Sequence, residues 1–252
     1  MNKVLLTLLA LSLIVAACKK EKPKEKEEES NVPCQMIKGS SENQGGSIVY
    51  CTYIYDERGR ITKLRYSDNR EVSYSYSSNQ IIEERWSFNS PTSKHTYQLD
   101  ASGKIVSSNK IINGTETPHK YIYNADGYIS EESTDDGSSS AVFKYSYING
   151  NLTSVRSNYL NDPGKVSVTT ISYTNELTPS RFLADYYTAH IPTTYILKAY
   201  FGKASKNLIS EVRNSSSYSF TYQTDSEGNV IKMTERSTEF TNIHEYDFNR
   251  CK

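Results

Sequence analysis

The sequence lacks the motifs that mark most enzymes and nucleic-acid-binding proteins. It contains no Gly-x-Ser-x-Gly, no phosphate-binding loop and no dinucleotide fingerprint. Its 29 basic and 29 acidic residues balance, and no basic stripe predicts nucleic acid as a partner. We therefore predict a protein that is not an enzyme and that uses no cofactor.

Metal sites and paired catalytic acids have no clear sequence signal either. Adjacent acids occur at Glu83-Glu84 and Glu131-Glu132, but neighbouring strand residues point to opposite faces. A glycosidase instead needs two carboxylates that face each other across a cleft. The histidines lack the spacing of a zinc site, and they are His95, His119, His190 and His244. We expect solvated acids, surface or strand histidines, no metal site and no catalytic residue.

Long apolar runs are absent except at the start of the chain. Residues 4–17 form an apolar run of 14 residues after Lys3, which is shorter than a membrane-spanning helix. The run ends in Val15-Ala16-Ala17-Cys18, where small residues directly precede a cysteine. This pattern predicts a lipoprotein signal peptide over 1–17 and a lipid on Cys18 that anchors the protein to a membrane. The alternative is an ordinary signal peptide with an incidental cysteine.

A charged segment follows the predicted lipidation site. Residues 18–33 are rich in lysine and glutamate and contain almost nothing apolar, so we expect a solvated, disordered tether. Its run Glu27-Glu28-Glu29 is either a surface-export signal or part of a plain spacer. We therefore predict an outer membrane lipoprotein of the cell envelope, on the periplasmic face or the cell surface.

Cysteine is scarce in the remaining chain. With Cys18 lipidated, three cysteines allow one bridge and one spare thiol, and these are Cys34, Cys51 and Cys251. If the sheet closes, its first and last strands are neighbours. That arrangement favours a bridge from Cys251 to Cys34 or to Cys51.

What the chain does contain is a repeated hairpin. In residues 121–129, two alternating tyrosines are followed by Asn124, Asp126 and Gly127 and then by a new apolar run. Asn and Asp bond their own backbone and Gly accepts positive φ, so the pattern predicts a strand, a turn and a returning strand. Variants of this hairpin follow one another over residues 34–252, which we interpret as a single β domain.

A second regularity follows the turns. Apolar residues recur three positions apart, as in Ile61 and Leu64, Leu152 and Val155, and Val230 and Met233. Strict alternation would place the members of each pair on opposite faces, with one in solvent. A recurrent β-bulge would instead return both members to one face.

These repeats carry a resemblance to known proteins. Gly59 to Leu64 after Tyr55-Asp56, and Gly150 to Val155 after Tyr147, resemble the YD repeat of RHS proteins. The chain from about 45 to 250, behind its lipoprotein signal, resembles a Bacteroidetes-type lipoprotein family of unknown function with a porin-like β fold. The resemblance implies a curved antiparallel sheet or barrel, and it supplies no catalytic residue. Residues 178–201 depart from the repeat.

Together these patterns predict an all-β protein with an antiparallel up-and-down meander of hairpin repeats. We expect about twelve to sixteen strands that curve strongly or close as a soluble barrel filled with side chains. The face opposite the tyrosines carries Ser73, Ser75, Lys144 and Ser146. Such a face argues against an outer-membrane channel. A short helix over 181–189 is the best helical candidate.

The one candidate ligand site is aromatic. Trp86, the only tryptophan, and Phe88 would share a strand face with Ile82 and Glu84. The alternative is that Trp86 packs in the core beside the tyrosines. We predict a non-enzymatic binding or interaction module whose ligand is a glycan or an envelope protein. The alternatives are a purely structural envelope protein and, with less support, a glycan hydrolase.

Overall fold

The computed structural model of the protein describes residues 35–42, 46–135, 137, 140–179 and 195–249. The predicted signal peptide, Cys18, the tether, Cys34, Cys251, His190 and the candidate helix 181–189 lie outside these residues. The described strands and one 3-10 helix (Tyr195–Tyr200) are β1 (Met36–Glu42), β2 (Ile48–Tyr55), β3 (Ile61–Tyr66), β4 (Arg70–Tyr76), β5 (Gln80–Ser87), β6 (Ser90–Leu99), β7 (Ile105–Ile112), β8 (Thr115–Tyr123), β9 (Ile129–Asp135), β10 (Ser140–Ile148), β11 (Asn151–Tyr159), β12 (Asp162–Leu177), β13 (Asn207–Arg213), β14 (Ser217–Thr224), β15 (Val230–Arg236) and β16 (Thr241–Phe248). None of the described helical segments has the length and apolar character needed to cross a membrane.

The sixteen strands close into one antiparallel barrel. Each strand pairs with the next one along the chain, and β16 pairs with β1, with Gly39 opposite Tyr246. The predicted all-β, up-and-down architecture is therefore confirmed. Closure removes the free edges of the sheet, which would otherwise expose unpaired backbone groups.

The turns of the repeat form as their residues predict. In the turn after β6, the Asp100 carboxylate accepts hydrogen bonds from the backbone amides of Ser102 and Lys104 at 2.8 and 2.9 Å. Gly103 adopts a φ of +82°, which costs a glycine little. These bonds lower the pKa of Asp100 below its usual value, because they stabilise the ionised carboxylate.

The recurrent bulge is also confirmed. On β3, Ile61 and Lys63 pair with successive residues of β2, so that Thr62 is an extra residue. Ile61 and Leu64 are consequently both buried on the inner face. All the remaining odd-numbered strands except β5 carry an equivalent extra residue. These residues are Ile37, Val106, Ser130, Thr153, Ser210 and Ile231.

The second tyrosine of the repeat completes the hydrogen bonding at these bulges. The hydroxyl of Tyr76 donates to the backbone carbonyl of Ile61, which directly precedes the bulge residue, at 2.7 Å. The same bond joins Tyr55 to Met36, Tyr123 to Ile105, Tyr173 to Leu152 and Tyr222 to Ile209. A bulge interrupts the ladder, and the neighbouring tyrosine satisfies a carbonyl at the interruption.

The barrel wall separates two kinds of side chain. Tyr74 and Phe143 are buried inside, whereas the intervening positions, such as Ser75 and Lys144, face outward and are exposed. The polar outer face predicted from the sequence is therefore present. The interior is a packed core that contains apolar and aromatic residues from all around the barrel.

Residues 195–206 close one end of the barrel. Leu197 and Phe201 are buried there, and the Phe201 ring meets the Tyr121 ring edge-on at 5.3 Å between centroids. The backbone amide of Lys203 donates to the carbonyl of Gly127 in a repeat turn. We call this end, which contains the repeat turns, the plugged end. The opposite end contains the tight turns 67–69, 88–89 and 113–114, and we call it the hairpin end.

Candidate functional site

One inward position of the repeat differs in chemistry around the barrel. It is the second inward residue of each odd-numbered strand from β3 onward. On β3, β11, β13 and β15 it is apolar and buried, and its residues are Leu64, Val155, Val212 and Met233. On β5, β7 and β9 it is polar and equally buried, and its residues are Glu83, Ser108 and Glu132.

Hydrogen bonds join Glu83 to its neighbours inside the barrel. Arg85 Nε donates to Glu83 Oε1 at 2.6 Å, and the Tyr97 hydroxyl donates to Glu83 Oε2 at 3.3 Å. The same hydroxyl lies 2.8 Å from His95 Nδ1. The side chain of Glu83 is 3% exposed, whereas that of Arg85 is 45% exposed. Arg85 therefore connects a buried carboxylate to solvent.

The chain continues from His95 to the next two strands. His95 Nε2 lies 2.9 Å from the Ser108 hydroxyl, which lies 3.2 Å from the Tyr121 hydroxyl. One arrangement of protons uses every group: Tyr121 donates to Ser108, Ser108 donates to His95 Nε2, and His95 Nδ1 donates to Tyr97. Tyr97 is then left to donate to Glu83.

A second group of hydrogen bonds lies beside the first. His119 Nδ1 is 2.8 Å from Glu132 Oε1, and the Tyr145 hydroxyl donates to Glu132 Oε2 at 2.7 Å. The rings of His95 and His119 lie 5.9 Å apart between centroids. Inward side chains from β5 to β10 therefore form a buried polar cluster, which we call the polar sector.

The surroundings of the polar sector keep His95, Tyr97 and Tyr145 in their neutral forms. Burial, with smaller contributions from the positive charges of His119, Lys110 and Arg85, lowers the pKa of His95 to about 3. Burial raises the pKa of Tyr97 and Tyr145 well above the ordinary tyrosine value. At neutral pH the hydroxyls and the His95 imidazole are therefore neutral hydrogen-bonding groups.

The polar sector is not arranged for nucleophilic catalysis. Ser108 lies beside His95, as a nucleophile lies beside its base, but only 4% of its surface is exposed. Phe201 packs against Tyr97 and Tyr121 from the plugged end. A satisfied and enclosed network of this kind fixes one packing arrangement rather than meeting a substrate.

The expectation of solvated acids was wrong for Glu83 and Glu132, whereas His95 and His119 are strand histidines as expected. His95 and His119 are brought together, and Glu83 and Glu132 are buried, because barrel closure gathers one face of several strands into one interior. Glu84 and Glu131 point the other way and are partly exposed, as alternation requires. The tyrosines of the next strands, Tyr97, Tyr121 and Tyr145, gave no distinguishing signal, because Tyr74 and Tyr246 occupy the same position beside the apolar Leu64 and Met233.

A cavity of about 570 Å³ opens at the hairpin end. Its inner walls include Tyr53 of β2, Tyr66 of β3 and Tyr246 of β16, and Trp86 lines it near the end of β5. We call it the mouth cavity. Its volume falls in the range of small-molecule sites, and aromatic rings with a few polar groups are the usual lining of such sites.

Charged and polar side chains are distributed around the mouth cavity. Arg70 lies over the Tyr66 ring at 4.9 Å and binds the Asp68 carboxylate at 2.7 Å. Across β15 and β16, Asn242 Nδ2 donates to Glu235 Oε2 at 3.0 Å. The cavity therefore presents both signs of charge together with neutral hydrogen-bonding groups.

The two aromatic residues singled out from the sequence lie in different places. Trp86 is half-buried and is not a core residue, because it pairs with Glu71 on the outer face of the wall at the rim of the mouth cavity. Phe88 does not share its strand face, because β5 ends at Ser87 and Phe88 adopts a φ of +48° in the following turn. Phe88 is 73% exposed. A ligand-binding role for either residue stays a prediction.

The remaining predicted site residues are cysteines. Cys51 is a buried thiol on β2 that lines the mouth cavity. Its possible partners Cys34 and Cys251 lie outside the described residues, so the disulfide stays a prediction. Within the part of the chain that the structure describes, no group of three or more His, Cys, Asp or Glu side chains could hold a metal ion.

The closed barrel of sixteen antiparallel strands has a porin-like β fold. Among solved structures, it is similar to a porin-like protein from Bacteroides uniformis, with a TM-score of 0.60 and 18% sequence identity over 85% of this chain and 96% of that one. At this identity the likeness is one of fold. No family model matches the sequence. No curated protein matches it either.

Proposed function

We propose that this chain is a lipid-anchored protein of the cell envelope that binds a glycan in the mouth cavity without catalysing a reaction. The observation that carries the proposal is a cavity of about 570 Å³ lined by the inward-facing rings of Tyr53, Tyr66 and Tyr246. Aromatic rings offer flat apolar surfaces to the C–H faces of a sugar, and the polar side chains between them offer partners to its hydroxyls.

The glycan proposal is tested by calorimetry on the full-length chain in detergent. The probes are maltohexaose, cellohexaose, xylohexaose and mannohexaose. We expect at least one to bind with millimolar affinity or better, and Tyr66→Ala to weaken it about tenfold because an aromatic contact contributes roughly 1 kcal/mol or more. Phe88→Ala is the matched control, because Phe88 is exposed in the adjacent turn.

Two outcomes contradict the glycan proposal. One is the absence of binding by any of the four oligosaccharides. The other is equal loss of affinity in the Tyr66 and Phe88 variants, which would place the contact on the turn instead of in the cavity. In the first case, capture of an envelope protein by the immobilised chain tests the other ligand class.

The membrane anchor is a separate part of the proposal. It is supported by the sequence Val15-Ala16-Ala17-Cys18 after a short apolar run. Metabolic labelling with a radioactive fatty acid should label the wild-type chain and the Cys34→Ser variant, but not the Cys18→Ser variant. Labelling that survives Cys18→Ser would overturn the anchor without affecting the glycan site.

The alternatives have less support among the described residues. A hydrolase needs two carboxylates that reach a substrate. Glu83 and Glu132 are 2% and 7% exposed, and each already binds two side chains. A structural role that depends on pairing through a free sheet edge is not supported, because the described strands form a closed barrel without a free edge.

A further inference from the structure

Two arginines lie side by side on the inner wall of the mouth cavity. Arg85 of β5 pairs with Val72 of β4, which is buried on the inner face, and Arg70 lies two residues before Val72 on β4. Paired residues of an antiparallel ladder share a face, and so do residues two apart on one strand, so both arginines point inward. Both line the mouth cavity. They are diagonal neighbours across the ladder, roughly 7 to 8 Å apart at the backbone, so their long side chains can reach one small group.

The acids that pair with these arginines lie outside the cavity lining. Arg85 Nε donates to the buried Glu83 carboxylate at 2.6 Å, and Arg70 Nη2 lies 2.7 Å from the Asp68 carboxylate in the adjoining turn. Neither Glu83 nor Asp68 is among the residues that line the cavity. The side chains of Arg85 and Arg70 are 45% and 53% exposed. Each arginine is therefore oriented by an acid outside the cavity and still exposes about half of its side chain.

The two acids of the cavity lining do not face an anion at this position. Glu71 pairs with Trp86 on the outer face, where it binds Lys63 Nζ at 2.6 Å. Glu235 points inward, but it lies on β15, and β16, β1, β2 and β3 separate that strand from β4. Its carboxylate accepts a hydrogen bond from Asn242 at 3.0 Å. The wall formed by β4 and β5 is therefore the positively charged side of the cavity.

The neighbours of the two arginines fit an acidic sugar. The Tyr66 ring lies beneath the Arg70 guanidinium at 4.9 Å and lines the same cavity. Ser87 pairs with Arg70, shares its face and also lines the cavity. The N–H groups of a planar guanidinium match the two oxygens of a carboxylate. An aromatic face, two cations and a hydroxyl are together complementary to a sugar ring that carries a carboxylate.

We infer that the mouth cavity selects acidic oligosaccharides and that Arg70 and Arg85 bind the carboxylate of a uronic acid there. This inference rests on the proposed glycan-binding function. It adds the charge of the ligand and the two residues that recognise that charge.

Calorimetry with matched ligands tests the selectivity on the full-length chain in detergent. The probes are hexagalacturonate and its fully methyl-esterified form, which share one sugar chain and differ in charge. We expect hexagalacturonate to bind about tenfold more tightly than the ester and than the best neutral hexaose, because hydrogen bonds to charged groups contribute more than neutral ones. The difference should shrink as the NaCl concentration rises from about 50 to about 500 mM, since salt screens exposed charges.

Three variants assign the contact to the two arginines. Arg70→Gln removes a charge beside the exposed turn, whereas Arg85→Lys keeps a charge for Glu83 but loses the planar fork of donors. We expect each to weaken hexagalacturonate binding about fivefold and to leave binding of the best neutral hexaose within about twofold. Arg65→Gln is the matched control, because Arg65 pairs with Glu71 on the outer face and is 61% exposed. Thermal unfolding without ligand checks that each variant is folded, and Arg70→Gln decides the outcome if Arg85→Lys is not.

The outcomes separate this inference from the glycan proposal. Equal affinity for hexagalacturonate and its ester would overturn the inference, and binding of a neutral hexaose in the same experiment would leave the glycan site intact. Equal loss of hexagalacturonate binding in Arg65→Gln and Arg70→Gln would also overturn it, because the effect would then be one of general surface charge. Absence of binding by every neutral and acidic probe would overturn both.

Discussion

Two sectors of the barrel interior fill equivalent inward positions with side chains of different chemistry. In the polar sector, Glu83, Ser108 and Glu132 accept hydrogen bonds from the inward tyrosines of the next strand. Between β11 and β15, the same inward position is occupied by Val155, Val212 and Met233. Two of the strands that follow, β12 and β14, carry Ile171 and Phe220 at the position where the strands of the polar sector carry a tyrosine.

The difference between the sectors shows that the repeat specifies the backbone conformation but does not specify the chemistry of the interior side chains. Turns are shared by both sectors, and so are the bulges except on β5, because they depend on short-range bonds within each hairpin. A buried polar residue is tolerated where a neighbouring strand supplies its partner. We therefore expect the polar sector to be more sensitive to changes in single partners and to pH.

The largest expected effect comes from moving a carboxylate into the apolar sector. Val212→Glu would place a charge at a fully buried position whose ladder partners are Ile171 and Tyr218, and we expect a loss of about 3 to 5 kcal/mol in the free energy of unfolding. Urea unfolding followed by Trp86 fluorescence measures it. Ile231→Glu, on an exposed bulge residue of the same sector, is the control and should change stability by about 0.5 kcal/mol or less. Equal stability of the two variants would refute the contrast between sectors.

The reverse change, Glu132→Met, should cost about 2 to 3 kcal/mol. It keeps the volume of the side chain but removes the acceptor that both Tyr145 and His119 use. Glu131→Met on the outer face is the matched control for the same unfolding measurement. If Glu132→Met proved as stable as its control, the hydrogen-bonded cluster would contribute nothing to folding.

Acid should destabilise the polar sector through His95. Its folded pKa of about 3 lies below the ordinary value, so its contribution is present above pH 6.5 and is lost as the pH falls toward 3. We expect a loss of about 2 kcal/mol between neutral pH and pH 5, by linkage over that interval. Unfolding free energies at both pH values should differ less in His95→Gln, and an identical difference would contradict the assignment.

The smallest effect concerns a contact that both sectors share. Tyr123→Phe in the polar sector and Tyr222→Phe in the apolar sector each remove a bond to the carbonyl before a bulge. We expect both to cost about 1 kcal/mol, since the bond belongs to the repeat and not to the sector. Tyr50→Phe, on a side chain that is 59% exposed, provides the control. A cost confined to one sector would show that the bulge bond is not a common element.

The predictions that succeeded rest on local patterns. Asp100 and Gly103 indicated a turn from their own backbone preferences, and the spacing of Ile61 and Leu64 allowed a bulge. The prediction of solvated acids failed for Glu83 and Glu132 because their tyrosine partners lie on the next strand, 14 and 13 positions away. The prediction that Phe88 lies on a strand failed although Asn89, Ser90 and Pro91 indicated a turn directly after it.

The sequence by itself determined where the chain turns, which residues alternate inward and outward, and where a tyrosine is available to complete a bulge, because these depend on interactions between residues near one another in the chain. Only the tertiary structure decided that the sheet closes, that 195–206 fills one end, and that Glu83, His95 and His244 face enclosed space. Closure converts one face of every strand into a shared interior. The chemistry of that interior depends on which strands become neighbours and on how many residues each bulge adds.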